Sequence, residues 1–159
     1  MEGLFPTGTG ISRVRGIISI IKQNKGHIGI SELAEESDED IDDLLPIIDA
    51  CKLLGLAVVD GSKIKLTDKG EKLTVSNFSK YIGEGLAKTE PFKSAIKIID
   101  DGSISSRELL DALKSRGIMI HEESTTNDIL LKKLLVRWGV RTKLMNYDQE
   151  TDTWSVKRQ

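Results

Sequence analysis

The sequence predicts a mainly α fold with small β-hairpins, arranged as two winged helix-turn-helix modules in tandem and joined by a linker helix. Three observations predict it. Apolar residues recur at helical spacing in three short runs ahead of Gly55, and again in three runs between Phe92 and Trp138. Each set of three runs is followed by short extended stretches around a polar turn. Three helices followed directly by a hairpin is the order of a winged helix, in which the hairpin packs beside the third helix.

Residues 1–10, rich in Gly and Thr with Pro6, have no periodicity and read as an irregular N-terminal arm. Ile11, Val14, Ile17, Ile18 and Ile21 then form one stripe of an amphipathic helix that stops near Gly26. Ser31 is placed to cap a short second helix carrying Leu33 and Ala34, and Ser37 to Asp40 has the Ser-x-x-Asp form of a capping box before a third. That third helix is expected to bury Ile41, Leu44, Leu45, Ile48 and Cys51, with Gly55 as its C-terminal stop. Pro46 inside it is expected to kink it, because proline lacks a donor and crowds the preceding turn. Leu56 to Val59, the turn pair Asp60-Gly61 and the alternating Lys63-Ile64-Lys65-Leu66 read as a β-hairpin. The first module therefore spans 11–70.

Thr67 is expected to cap a longer, less regular helix with Leu73, Phe78, Tyr81, Ile82 and Leu86, which serves as the linker over 71–90. Two glycines inside it, Gly83 and Gly85, need a packing partner, so pairing with a second copy through exposed Phe78 or Tyr81 is one expectation. The second module, 91–159, repeats the plan. Phe92, Ala95, Ile96 and Ile99 mark a helix ending at Gly102. Ser105 to Glu108 is a Ser-x-x-Glu box opening a second, with Leu109, Leu110 and Leu113, closed by Gly117. A third, from about Thr126, carries Leu131, Leu134, Leu135 and Trp138, and Gly139 is expected to repeat the part of Gly55. Tyr147-Asp148, a polar turn and Thr153 to Val156 make the last hairpin.

Composition narrows the function. The 159 residues are 38% hydrophobic and 30% charged with net charge −2, which gives no global attraction to nucleic acid or an anionic membrane. No apolar run approaches the ~18 residues of a membrane helix, and Met1-Glu2-Gly3-Leu4-Phe5-Pro6 does not resemble a signal peptide. A single cysteine, Cys51, cannot close an intrachain disulfide, so a cytoplasmic setting is expected.

Specific residues add to this reading. Asp43-Leu44-Leu45-Pro46, Leu53-Leu54-Gly55, Ile64-Lys65-Leu66-Thr67 with Gly70, and Trp138-Gly139 with Tyr147-Asp148 resemble the AAA-associated C-terminal domain family over roughly residues 30–156. Members are typically fused behind the ATP-binding cassette subunit of nitrate, sulfonate or bicarbonate-type importers. The resemblance implies an accessory or regulatory partner of such an ATPase, with the cassette in trans or formerly fused. It transfers no catalytic residue. Where the family pattern has an Arg after Trp-Gly and an acid before the Leu that precedes Tyr-Asp, this chain has Val140 and Lys143.

The chemistry agrees with a module that acts by contact. Nothing matches a phosphate-cradling loop followed by Lys and Ser/Thr, so no nucleotide cofactor is expected. Asp38, Asp40 and Asp42 alternate as in a calcium loop, but Asp43 and Asp49 stand where Gly and Glu are required, so a solvated helix start is the simpler reading. His27, His121 and Cys51 lack the converging spacing of a metal or nucleophile site, and no enzyme activity is expected. The acids at the start of the third helix would face phosphates, which disfavours DNA binding by the first module.

The second module differs in charge. Residues 1–87 hold 10 basic and 14 acidic side chains, whereas residues 88–159 hold 13 and 11. Lys132, Lys133, Arg137, Arg141 and Lys143 gather on and after its third helix as a candidate interaction face, opposite the stripe that ends in Trp138. Such a face suits an acidic protein surface, phosphate or only water, and a DNA-binding regulator using this module is the rival reading. Trp138 and Trp154 read as core.

Overall fold

A computed structural model describes residues 4–100 and 102–156. Met1, Glu2 and Gly3 of the expected arm lie outside the described residues. The chain is mixed α/β: helices with two small three-stranded antiparallel sheets. It divides into two compact units, an N-terminal one over Phe5–Phe78 and a C-terminal one holding the later residues. No helix of the described residues is long and apolar enough to cross a membrane.

In the N-terminal unit, α1 (Ile11–Gln23), α2 (Ile30–Ser37) and α3 (Ile41–Leu53) surround a core that includes Ile17, Ile21, Leu33, Leu44, Ile47 and Leu56. The capping expected at two helix starts is absent. Gly29 precedes α2 with no side-chain cap, and the Ser37 hydroxyl donates back to the Leu33 carbonyl at 2.7 Å within α2. Helix α3 runs through Pro46. Strands β1 (His27–Gly29), β2 (Ala57–Asp60) and β3 (Lys63–Leu66) pair in the order β1-β3-β2, with Ile28 and Val59 both opposite Ile64. Asp60 pairs with Lys63, so the tight turn is Gly61-Ser62, one residue later than expected. Phe5 and Thr9 are buried, so the described part of the arm is packed and not loose.

The helix expected to run on from Thr67 is broken. Helix α4 (Asp68–Lys72) stops where Leu73 turns extended, and α5 (Phe78–Leu86) follows. Between them Asn77 replaces helical bonds: its carbonyl oxygen accepts from the Thr74 amide at 2.7 Å and its amide donates to Lys72 at 2.9 Å. Phe78 is buried beneath the Arg15 guanidinium, 5.1 Å from the ring centroid, which removes it from the exposed pair once expected to meet a second copy.

In the C-terminal unit, α6 (Phe92–Ile99), β4 (Ser103–Ser105), α7 (Ser106–Ser115) and α8 (Ser124–Leu134) precede the strands β5 (Asn146–Asp148) and β6 (Thr153–Ser155). The sheet order is β4-β6-β5. The box at Ser105 forms as expected, its hydroxyl oxygen accepting from the Glu108 amide at 3.1 Å. Gly83 on α5 packs against Thr142, which supplies one glycine of that helix with a partner inside the unit.

Helix α8 does not end at a left-handed glycine. It continues as a π-helical turn over Leu135–Val140, and Gly139, with no positive φ, sits inside that turn. The reason is packing: a Cβ on Gly139 would fall 2.9 Å from the Met145 sulfur. The Gly139 carbonyl accepts from the Leu144 and Met145 amides, and the Thr142 hydroxyl donates to the Trp138 carbonyl at 2.7 Å. The chain after α8 thus folds back over the helix end and seals Trp138 beneath it.

Candidate functional site

The buried stripe of α8 sets its outward face. Along this helix Asn127, Leu131, Leu134, Leu135, Trp138 and Gly139 are buried, which leaves the opposite side for Ile129, Lys132, Lys133, Val136, Arg137 and, just beyond the turn, Arg141. These six line one surface groove. Its apolar residues are Ile129 at 57% and Val136 at 36% exposure. Four cations share the lining with them and no acid lines the groove. The expected face therefore assembles for Lys132, Lys133, Arg137 and Arg141, whereas Lys143, exposed and in the left-handed region at φ 64°, is outside it. Ile129 and Val136 were missed from the sequence, where the face was read from its charges and the core stripe from Leu131, Leu134, Leu135 and Trp138.

One groove cation is fixed. The Asp152 carboxylate oxygen Oδ1 accepts from the Ser106 hydroxyl at 2.6 Å, the Tyr147 phenol at 2.5 Å and the Lys132 ammonium at 3.2 Å. Lys132 also lies over the Tyr147 ring, 5.1 Å from its centroid, and Tyr147 packs on Trp154 with centroids 4.5 Å apart. The indole N–H of buried Trp154 donates to Ser106 at 2.8 Å. This network joins the start of α7, the β5–β6 hairpin and the groove rim. Hydrogen bonds from Ser106 first, then Tyr147 and Lys132, hold the Asp152 carboxyl down at about 2. Those with Tyr147 and Asp152 hold Lys132 above its ordinary range.

The network yields a pH prediction. A folded-state carboxyl pKa below its unfolded value adds stability that is complete above the unfolded value of about 4 and is lost as pH falls towards 2. The Asp152 side chain is 54% exposed, so solvent screening limits the effect to about 1 kcal/mol. Asp152 has φ 54°, a conformation asparagine tolerates, so D152N removes the charge with little backbone strain. Urea denaturation of wild type between pH 5 and pH 2.5 should show a larger fall than D152N; equal slopes would refute the assignment.

The motif residues have mostly structural posts. The carbonyls that follow α3 are taken up by the start of α4: Thr67 donates its hydroxyl to Gly55 O at 2.6 Å and its amide to Leu56 O at 3.0 Å, and the Thr67 Oγ1 accepts from the Gly70 amide at 3.1 Å. Gly55 sits at φ 74°, a helix-ending geometry that glycine adopts freely. Leu44 is core and Pro46 half-buried, but Asp43 is exposed on α3, and so are Ile41 and Leu45, against the burial expected of them: the stripe that meets the core runs through Leu44, Ile47, Ile48 and Cys51. Trp138 and Gly139 form the sealed helix end, Tyr147 stands in the Asp152 network, and the Asp148 carboxylate accepts from the Glu150 amide at 3.0 Å to shape the hairpin turn. Cys51 is buried, which pushes its thiol up to about 12 and keeps it protonated at neutral pH. His27 and His121 are exposed.

Comparison with known families matches residues 31–148 to the model of the C-terminal AAA-associated domain. No curated protein and no solved structure matches the chain significantly.

Proposed function

The chain belongs to the C-terminal AAA-associated domain family, and from that membership we propose that it is a non-catalytic, cytoplasmic module that docks on the ATP-binding cassette subunit of an importer. In this reading each compact unit is a winged helix: three helices, then a hairpin whose sheet is completed by a strand from between the first two helices. The short segment between α4 and α5, with α5 itself, links them.

The groove on α8 carries the reading. Exposed Ile129 and Val136 beside Lys132, Lys133, Arg137 and Arg141 suit a partner that offers apolar side chains among carboxylates. Apolar contact supplies affinity, and the cations steer approach and set register.

The test is binding of the full chain to purified cassette ATPase subunits of importers from the same cell, read by calorimetry, with ATP hydrolysis measured alongside. Wild type is expected to bind and to change the hydrolysis rate. The double variant R137E/R141E, altered at exposed positions and expected to fold normally, should weaken binding by about tenfold or more, the cost of reversing two charges in a partly desolvated contact. Unchanged binding in the variant would refute this use of the groove.

A specific observation also favours DNA, since the same four cations suit phosphate. Against it, two of the six lining residues, Ile129 and Val136, are aliphatic and offer nothing to a phosphate backbone. Fluorescence anisotropy with a labelled duplex separates the readings: affinity that falls steeply with salt and is lost in R137E/R141E would select DNA.

A further inference from the structure

Eight large apolar side chains among the described residues are exposed, and five of them lie on two helical faces. Ile129 and Val136 stand in the groove of α8. Ile41, Leu45 and Leu53, at 47%, 45% and 36% exposure, stand on the outer side of α3, opposite its buried Leu44, Ile47, Ile48 and Cys51. The charges between these side chains are opposite in sign. On α3 the exposed neighbours are Asp42 and Asp49, with Lys52 near the C-terminal end; on α8 they are Lys133, Arg137 and Arg141. None of Asp42, Asp49, Lys133, Arg137 and Arg141 takes part in an ion pair among the described residues.

We propose that the α8 groove holds the outer face of α3 from a second copy of this chain, in a head-to-tail contact. Ile41 and Leu45, one turn apart on a helix, would supply apolar side chains at the spacing a groove of this kind accepts, and the Asp42 and Asp49 carboxylates would meet the Arg137 and Arg141 guanidinium groups. Because the two surfaces differ, two reciprocal contacts close a dimer and a single one leaves ends free for further copies. This inference goes beyond the ATPase reading and does not depend on it. Its functional consequence is competition: a groove filled by a second copy is closed to another partner.

Sedimentation velocity of the full chain over a range of concentrations, at 50 and 500 mM salt, measures the contact. Wild type is expected to associate, about tenfold more weakly at high salt, because the screening length shrinks below the reach of the charge pairs. The decisive comparison uses two exposed-site variants. R137E spoils the groove and leaves α3 intact, whereas L45E spoils α3 and leaves the groove intact. Each alone should weaken association by about tenfold or more, and an equimolar mixture of the two should restore a dimer through the one undamaged contact. A wild type that stays monomeric at all concentrations, variants that associate like wild type, or a mixture that fails to recover would each overturn the proposal. Wild type that binds the ATPase without self-associating would sink this inference alone, and wild type that self-associates without binding the ATPase would sink only the ATPase reading.

Discussion

Replacing Gly70 by alanine is expected to destabilise the N-terminal unit by about 3 kcal/mol, a large cost for one methyl group. Helix propensity argues the other way, since alanine inside a helix is ordinarily favoured over glycine by up to about 1 kcal/mol. Packing decides the sign. A Cβ at Gly70 would run into the backbone carbonyl oxygen of Leu56 and lie 3.2 Å from the Leu66 Cδ2. That carbonyl cannot move away, because it already accepts from the Thr67 amide at 3.0 Å. The clash therefore separates α4 from the end of α3 and takes the Thr67 bonds to Gly55 and Gly70 with it. T67A, which removes those bonds without a clash, should cost about 1–2 kcal/mol. Gly16 on α1 supplies the control: nothing lies within 4 Å of its Cβ position, so G16A should stabilise by about 0.5–1 kcal/mol. Urea denaturation of the full chain, followed through the transition of this unit, reads all three. A neutral or stabilising G70A would refute the close approach.

These residues also show what could be read from the chain before its structure. Thr67 and Gly70 were legible as a cap and a motif, since a hydroxyl before a charged helical turn and a glycine within it are local signals. The identity of the obstructing group was not, because Leu56 is remote in sequence and only β2–β3 pairing brings its carbonyl there. The hairpins were legible from alternation around Lys63 to Leu66 and from Tyr147 to Trp154. Their third strands were not: His27–Gly29 and Ser103–Ser105 are too short to show a period of two. Gly139 read as a copy of Gly55 because both follow a buried helix, yet one adopts positive φ and the other makes room for Met145. The cationic half of the candidate groove was legible as charge opposite an apolar stripe. Its aliphatic half was not, since a face read from charge alone passes over Ile129 and Val136, which share the exposed side of α8 with those cations.

Truncating Trp154 to alanine should cost the C-terminal unit about 3–5 kcal/mol, the range for a large aromatic removed from a packed core. Trp154 is 1% exposed, lies opposite both Ile104 and Tyr147 in the sheet, and donates its indole N–H to Ser106. Size and hydrogen bonding can be separated. W154F keeps much of the ring and deletes the donor, leaving Ser106 still able to donate to Asp152, so a loss of about 1–2 kcal/mol is expected. S106A leaves a buried indole N–H without its acceptor and strips Asp152 of its shortest non-phenolic donor, at about 1–3 kcal/mol. If the two groups act as one network, the S106A/W154F double variant should cost less than the two single losses added, because the orphaned donor is then gone. Strict additivity would show that the bond contributes nothing beyond packing. The consequence reaches the groove: Asp152 fixes Lys132 at its rim, so S106A should also loosen partner binding while R137 and R141 remain in place, which ties the stability of the hairpin to the shape of the surface it supports.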